Sequence, residues 1–409
     1  MSSSAPTALA LAALLVLAGC GAPFGGSDAT DAPASPTASD AATGPGTSDD
    51  IVVRNGSLPV DPDRVFDRTR GLLGSDAPPP SAIVVADDEN VTEEPSVPEF
   101  WSLAGVEPRD PVEPVGVVEN GYTTALGSIV LSPGESGNAS RTERLLVHEF
   151  VHYIQFREER ASALRGRLPA TTDGSFVARA VLEGAAVHAT DAYLDRYGDD
   201  RRRNSEVYPR LREAYPAGSY QRYALAQYVE GHAYVADRLG ADDEGDPAAA
   251  TAIYERPPAT SEQVLHGLAP DEEPPRDLRV TVRTAEGDGF SATGRDTMGE
   301  AFVRAALAGG VGESRAAEAA AGWGNDSRVV FRDDGAVGYA WVLRWDGAGD
   351  ADEFRSAAVE HFAGRKGVDA FRVESVGEET VVLVLGDRSF VERASVGGTA
   401  GNVTVAVGD

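Results

Sequence analysis

Large apolar side chains are almost missing from residues 21 to about 50, where Gly, Ala, Ser, Thr, Pro and Asp dominate. Such a stretch cannot bury enough surface to offset the entropy of ordering, so it reads as an extended acidic tether. From Ile51 the pattern changes. Pro62 to Leu73 has helical spacing, and Ser81 to Val85 reads as a strand ending at the acidic turn of Asp87 and Asp88. Val115 to Val118 and Tyr122 to Leu131 read as strands separated by Glu119, Asn120 and Gly121, and a Pro133-Gly134 turn leads into a helix with apolar body at Leu145, Val151, Ile154 and Phe156. Ser140 is its expected N-cap, with Glu143 as capping-box partner. The segment Gly127 to Leu131 is the expected edge strand beside this helix, available to pair with an extended peptide.

Beyond a polar, Arg-rich connection, a long helix is expected over Ser175 to Arg196 and another over Tyr220 to Leu239. Pro257-Pro258 stops the next helical turn, and Ser261 can cap a short helix ending near His266. Residues 267 to about 292 are Pro-rich and acidic, which marks a boundary. The remainder begins with an Ala-rich helical region, Asp296 to Ala321, broken at Gly309-Gly310. Arg328 to Phe331 and Val337 to Trp345 then form a hairpin around Asp333-Asp334-Gly335, Ala351 to Phe362 a helix, and Phe371 to Val376 with Thr380 to Leu385 a second hairpin. The economical packing puts the helices on one face of a small antiparallel sheet. The predicted fold class is therefore α+β: a mainly helical domain with a small edge sheet over 51–275, followed by a smaller α+β module over 276–409.

Composition adds two constraints. The chain has 409 residues, 42% of them hydrophobic, which is ample for a packed core. Its net charge of −29 argues against nucleic acid as a partner, because phosphates would be repelled from nearly every face. The cations are almost all Arg, with Lys366 as the one lysine, and this acid-rich, Lys-poor balance points to a halophilic setting where salt screens self-repulsion.

The one cysteine, Cys20, cannot form an internal disulfide. It ends the run Leu17-Ala18-Gly19-Cys20 after the apolar segment Ala8 to Ala18, too short to span a bilayer. This reads as a lipoprotein signal over residues 1–19, with a lipidated Cys20 opening the tether of residues 20–50 and anchoring the chain at the extracellular face of the cytoplasmic membrane. Met1 to Thr7 carries no Lys or Arg, so the export route is not legible. Sequons at Asn55, Asn90, Asn138, Asn325 and Asn402 suit a surface protein.

The candidate chemistry lies in His148-Glu149-Phe150-Val151-His152, an uninterrupted HExxH. On a helix the two His lie a turn apart on one face and can share a Zn²⁺ ion, with Glu149 beside it as a general base. Catalytic zinc usually takes three protein ligands. Glu183, among small and apolar neighbours, is the simplest third; a solvent-facing Glu and an ion pair with Arg179 are the alternatives. His188, five residues on, faces another direction. Asp191 could orient an imidazole, although a solvent-facing Asp is the plainer reading. The phrase Val229-Glu230-Gly231-His232 echoes Leu182-Glu183-Gly184, and a structural hydrogen bond explains Glu230 and His232 better than ligation does. His266 is a tentative catalytic residue, as oxyanion donor or support, alongside His232, Tyr223 and Tyr228; a capping or surface His is the plainer reading. His361 is expected on a helix surface.

Several phrases together resemble a family of secreted HExxH proteins, most closely haloarchaeal surface lipoproteins of gluzincin-like metallopeptidase type. They are Val147 to Phe156, Val181-Leu182-Glu183-Gly184-Ala185, Tyr254 to His266, Ala320 to Asp326, Trp345-Asp346 and Asp352-Glu353-Phe354. The resemblance runs from about Leu145 to Phe354. It implies a zincin fold with His148, His152 and Glu183 as zinc ligands and Glu149 as catalytic base. The expected activity is peptide hydrolysis on a peptide or protein substrate. The rival expectation is a non-enzymatic envelope-binding lipoprotein with a structural or vestigial metal site, and metal-assisted cleavage of another bond is a third.

Overall fold

The computed structural model describes residues 50–86, 96–112, 120–132, 138–198, 202–240, 245–284, 289–365, 368 and 370–408. Cys20, the tether, the predicted strand Val115 to Val118 and the Pro133-Gly134 turn lie outside them. The fold is α+β. It opens with β1 (Val52–Arg54), α1 (Pro62–Leu72), β2 (Ala82–Val85), α2 (Glu99–Ala104), β3 (Asn120–Thr123), β4 (Ile129–Ser132) and α3 (Ala139–Arg157). The strands lie in the order β1-β2-β4-β3, parallel except for β3, which runs antiparallel to β4.

Two local expectations need correction here. The predicted strand Tyr122 to Leu131 is broken at Thr124–Ser128 by a turn, in which Gly127 takes φ of 84° and donates its N–H to Thr124 O. Gly127 supplies the left-handed backbone that other residues resist. Consequently Ile129 to Leu131 is an inner strand, and β3 is the edge among the described residues. The N-cap of α3 is Asn138, whose side chain accepts from Arg141 N, and Ser140 lies inside the helix. Glu143 accepts instead from the Tyr193 hydroxyl at 2.7 Å.

Helices α4 (Arg160–Arg167), α5 (Thr172–Tyr197), α6 (Asn204–Glu213), α7 (Tyr220–Leu239), α8 (Thr251–Glu255) and α9 (Ser261–His266) follow. α5 starts three residues earlier than Ser175, capped by the Thr171 hydroxyl on Gly174 N at 3.1 Å. It is buried around most of its circumference, which is why its sequence is apolar throughout rather than striped. α4 and α6 bury two residues each, Ala161 with Leu164 and Asn204 with Leu211, and so carry no apolar periodicity to read.

The last part contains β5 (Arg279–Thr284), β6 (Ser291–Asp296), α10 (Glu300–Val311), α11 (Glu313–Ala320), β7 (Trp323–Asp333), β8 (Ala336–Trp345), α12 (Ala348–Ala363), β9 (Ala370–Ser375), β10 (Thr380–Gly386), α13 (Arg388–Arg393), β11 (Ala394–Thr399) and β12 (Asn402–Val407). The Ala-rich region is interrupted at Gly312, φ 84°, and not at Gly309-Gly310. The β7–β8 hairpin turns on Asp334 and Gly335, both at positive φ, as a tight hairpin between twisted strands requires.

A five-stranded antiparallel sheet, β6-β7-β8-β10-β9, is covered on both faces, and the expectation of helices on one face was incomplete. Tyr339, Trp341, Leu343 and Trp345 face the helices α10 to α12, while the alternate Ala340 and Val342 face α13 and the three-stranded sheet β11-β12-β5. The helical side does not stop at the predicted boundary of 275/276. One apolar cluster joins Phe176, Val177, Val181 and Tyr223 to Phe302, Trp341 and Phe354. Phe100 and Trp101 of α2 sit in this seam, with ring centroids 5.5 Å from Trp341 and 4.9 Å from Phe302 respectively. His361 belongs to it too and is buried, contrary to the surface position expected; its Nε2–H donates to Ala104 O at 3.0 Å. A Cβ at Gly310 would lie 2.3 Å from His361 Nδ1, so glycine makes the space for the ring. Among the described residues no helix is long and apolar enough to cross a membrane.

Candidate metal centre

Helix α3 is buried between the first sheet and α5, so its HExxH face points inward rather than to solvent. His148 and His152 are each 4% exposed. Their Nε2 atoms lie 3.1 Å apart, and Glu183 Oε2 is 3.0 Å from His152 Nε2 and 3.3 Å from His148 Nε2. Ligand atoms about 2.0–2.2 Å from a tetrahedral zinc are about 3.3 Å from one another, so this triangle has the size such an ion needs. Two imidazole nitrogens and a carboxylate oxygen leave one tetrahedral position for a further ligand, as catalytic sites require. Burial works against the charge on His152, yet the Glu183 carboxylate holds its imidazole up at about 9. Glu183 itself lies well below the usual carboxylate range, because both histidines outweigh the cost of burying it. The point where the three meet therefore favours positive charge. Arg179, one turn earlier on α5, makes no ion pair with Glu183.

Neighbouring side chains fix this geometry. His152 Nδ1–H donates to Gln155 Oε1 at 2.8 Å, which leaves the Nε2 lone pair turned toward the centre. The Gln155 amide in turn donates to Leu182 O at 3.0 Å and to the Tyr254 hydroxyl at 2.9 Å, tying α3 to α5 and α8. Replacing Gln155 with Leu keeps the volume and removes the acceptor. Zinc affinity is expected to fall about 10- to 100-fold, read by competition with a chromogenic chelator. Asp191 plays no such part; it accepts from Asn204 N at 2.6 Å and Ser205 N at 3.2 Å, anchoring the start of α6. That anchoring has its own consequence, because α6 carries Tyr208 over the site.

Glu183 is placed by the crossing of α5 and α7. A Cβ on Gly184 would lie 2.2 Å from Gly231 O, and one on Gly231 would lie 2.1 Å from Ala180 O. The echoed Glu-Gly phrases thus mark a helix contact too close for any side chain. Glu230 points elsewhere and pairs with Arg212 at 2.6 Å. Beyond the crossing, the Tyr228 ring stacks on His148 with centroids 6.0 Å apart, and Tyr208 lies 6.2 Å from His148 and 4.4 Å from Tyr228. Burial, then the negative charge of Glu183, pushes both phenols upward, so both are neutral donors at physiological pH. Among the described residues neither hydroxyl is bonded to an acceptor.

Glu149 is 3% exposed and accepts from the Thr123 hydroxyl at 2.8 Å; that hydroxyl also lies 3.1 Å from Glu149 O. Thr123 ends the edge strand, so one hydrogen bond links the acid to the first sheet. Burial raises the Glu149 carboxyl above its ordinary range, against the pull of His152, His148 and Thr123. A raised carboxyl is closer to neutrality and better suited to exchanging protons.

The remaining candidates do not join. His266 is bonded to both carboxylate oxygens of Glu300 at 3.1 Å, and Arg304 shares that carboxylate, so an exposed His266 sits over the buried Glu300 and not with His148, His152 and Glu183. His188 bonds Gly245 O at 2.6 Å, and His232 lies beside it with ring centroids 6.0 Å apart. Tyr223 packs against Trp101 and Phe176. Sequence reasoning missed Gln155, Thr123 and Tyr208. Gln155 had a readable signal, an amide at i+3 from His152 on the buried face; Thr123 and Tyr208 had none, since tertiary packing alone brings them near.

The family described as a domain of unknown function (DUF8575) matches residues 286–408, which takes in β6 to β12 and none of the metal-centre residues. No curated protein and no solved structure matches the chain.

Proposed function

We propose that the chain is a zinc-dependent peptide hydrolase held at the outer cell surface by lipid on Cys20. The observation that carries this reading is the convergence of His148 Nε2, His152 Nε2 and Glu183 Oε2 within 3.0–3.3 Å of one another beside a buried Glu149. A purely structural metal site has no need of such an acid. Zinc, when bound by these three residues, supplies the Lewis acidity that activates water and polarises a carbonyl. Glu149 takes the proton from the attacking water and delivers it to the leaving amine, while Thr123 holds the carboxylate beside the edge strand. Tyr208 or Tyr228 donates to the oxyanion as it develops. The edge of β3 pairs with the backbone of an extended peptide, which places the scissile bond next to Thr123 and Glu149.

Metal analysis tests this reading. The purified chain is expected to hold one zinc per molecule, and His152→Ala to lose it together with hydrolysis of a fluorogenic peptide in high salt. Absence of zinc from the unaltered chain would favour the non-enzymatic, envelope-binding alternative.

A further inference from the structure

A second group of acids sits where the helical part meets the C-terminal sheets. Glu262 lies in α9, Glu273 in the connection from α9 to β5, and Asp346 directly after β8. One carboxylate oxygen from each lies within 4.8 Å of the others. Glu262 is only 3% exposed, yet among the described residues no cation and no hydrogen-bond donor reaches its carboxylate. The other buried acids at this junction are all provided for. Glu300 has His266 and Arg304, Asp296 has Thr172 and Arg328, Asp173 accepts from Ser261 N at 3.0 Å, and Asp326 accepts from two backbone and two indole N–H groups. Arg276 meets Asp346 at 2.6 Å and compensates one acid of the three. Glu262 is left facing two like charges from a buried position, an arrangement that is costly unless a cation completes it.

We propose that Glu262, Glu273 and Asp346 form a calcium-binding site, separate from the zinc centre. The donor set is all oxygen, which suits a hard cation and offers zinc none of the nitrogen or sulfur it prefers. Calcium holds oxygens at about 2.3–2.6 Å, so its ligands lie about 3–5 Å apart, which three carboxylate oxygens within 4.8 Å of one another can meet. The irregular, flexible geometry of three carboxylates from separate segments fits calcium better than the strict octahedron of magnesium. The ion's role is structural: it ties α9 and the following connection to the end of β8. α9 is itself fastened to α5 through Asp173 and Ser261, so the clamp supports the helix that carries Glu183.

The test is a thermal melt of the full chain at constant zinc and constant ionic strength. Calcium chloride at about 1–10 mM is expected to raise Tm by about 3–5 °C, with an equal level of magnesium giving less than half of that rise. Glu262→Gln and Glu273→Gln are each expected to remove the calcium-dependent rise and to leave bound zinc unchanged. Glu273 is exposed, so its substitution does not threaten folding and keeps the test decisive if Glu262→Gln misfolds. Without calcium, Glu262→Gln is expected to melt at or above the unaltered chain, because it relieves the like-charge contact. A chain whose Tm ignores calcium, or a rise that survives in Glu273→Gln, overturns the proposal.

Discussion

Glu149→Gln is expected to lower kcat/KM for peptide hydrolysis by about 10²- to 10⁴-fold while zinc content stays the same. The substitution is nearly isosteric, and the amide oxygen still accepts from the Thr123 hydroxyl, so α3 and the edge strand keep their contact. The group that could hold the ion, His148, His152 and Glu183, does not include this side chain. What disappears is a group that can take a proton from water and return it to the leaving amine, a loss of about 3–5 kcal/mol in transition-state stabilisation. Removing the charge also relieves the burial that raises the Glu149 carboxyl, so the fold is expected to be at least as stable. Activity within a few-fold of the unaltered chain would rule out Glu149 as the base. Loss of zinc in this variant would instead mean that the acid helps hold the ion.

The largest expected effect on stability lies outside the candidate metal centre. Asp326→Ala is expected to cost about 3–5 kcal/mol, measured by denaturant unfolding, because it orphans several buried donors at once. The Asp326 carboxylate accepts from Met298 N at 2.9 Å, Gly299 N at 2.8 Å, Trp323 Nε1 at 3.1 Å and Trp341 Nε1 at 3.1 Å. Burial pushes its carboxyl up to about 6 despite these bonds, which keeps it mostly ionised at neutral pH and shared among four donors. The damage should travel, since the same 297–299 turn accepts from Asp173 N at 3.0 Å, and Asp173 stands at the start of α5. Asp326→Asn retains one acceptor oxygen and should lose about half as much. A cost below about 1 kcal/mol for Asp326→Ala would mean that water replaces the carboxylate and that this hub does not tie the halves together.

These two sites differ in how far they could be read beforehand. HExxH is legible because its geometry is local: any helix puts positions i and i+4 on one face, and no knowledge of the fold is needed. The β7–β8 hairpin is legible for the same reason, since Asp334-Gly335 supplies the positive φ values the turn requires. The Trp323 to Asp326 phrase was visible only as a familiar pattern. Its meaning, one carboxylate between two indoles from adjacent strands, depends on β7–β8 register. His266 shows the opposite failure. A histidine near an apparent cap looked available, but its partner Glu300 is 34 residues away in a helix whose packing the chain order does not reveal.

By itself the sequence determined the α+β class, most of the long elements and the pair of histidines with Glu149, because periodicity and turn chemistry act over a few residues. Tertiary structure alone decided the rest. Glu183 reaches His152 across 31 residues because Gly184 and Gly231 let α5 and α7 approach to backbone contact. Gln155 and Thr123 become partners of the centre only when α8 and the edge strand close on α3. Tyr208 arrives on a helix anchored by Asp191, and the core runs across the expected domain boundary because α2 and α10 bring large aromatics to both sides of it. Each of these depends on which surfaces fit closely enough to exclude water, a property of the packed whole and not of any local stretch.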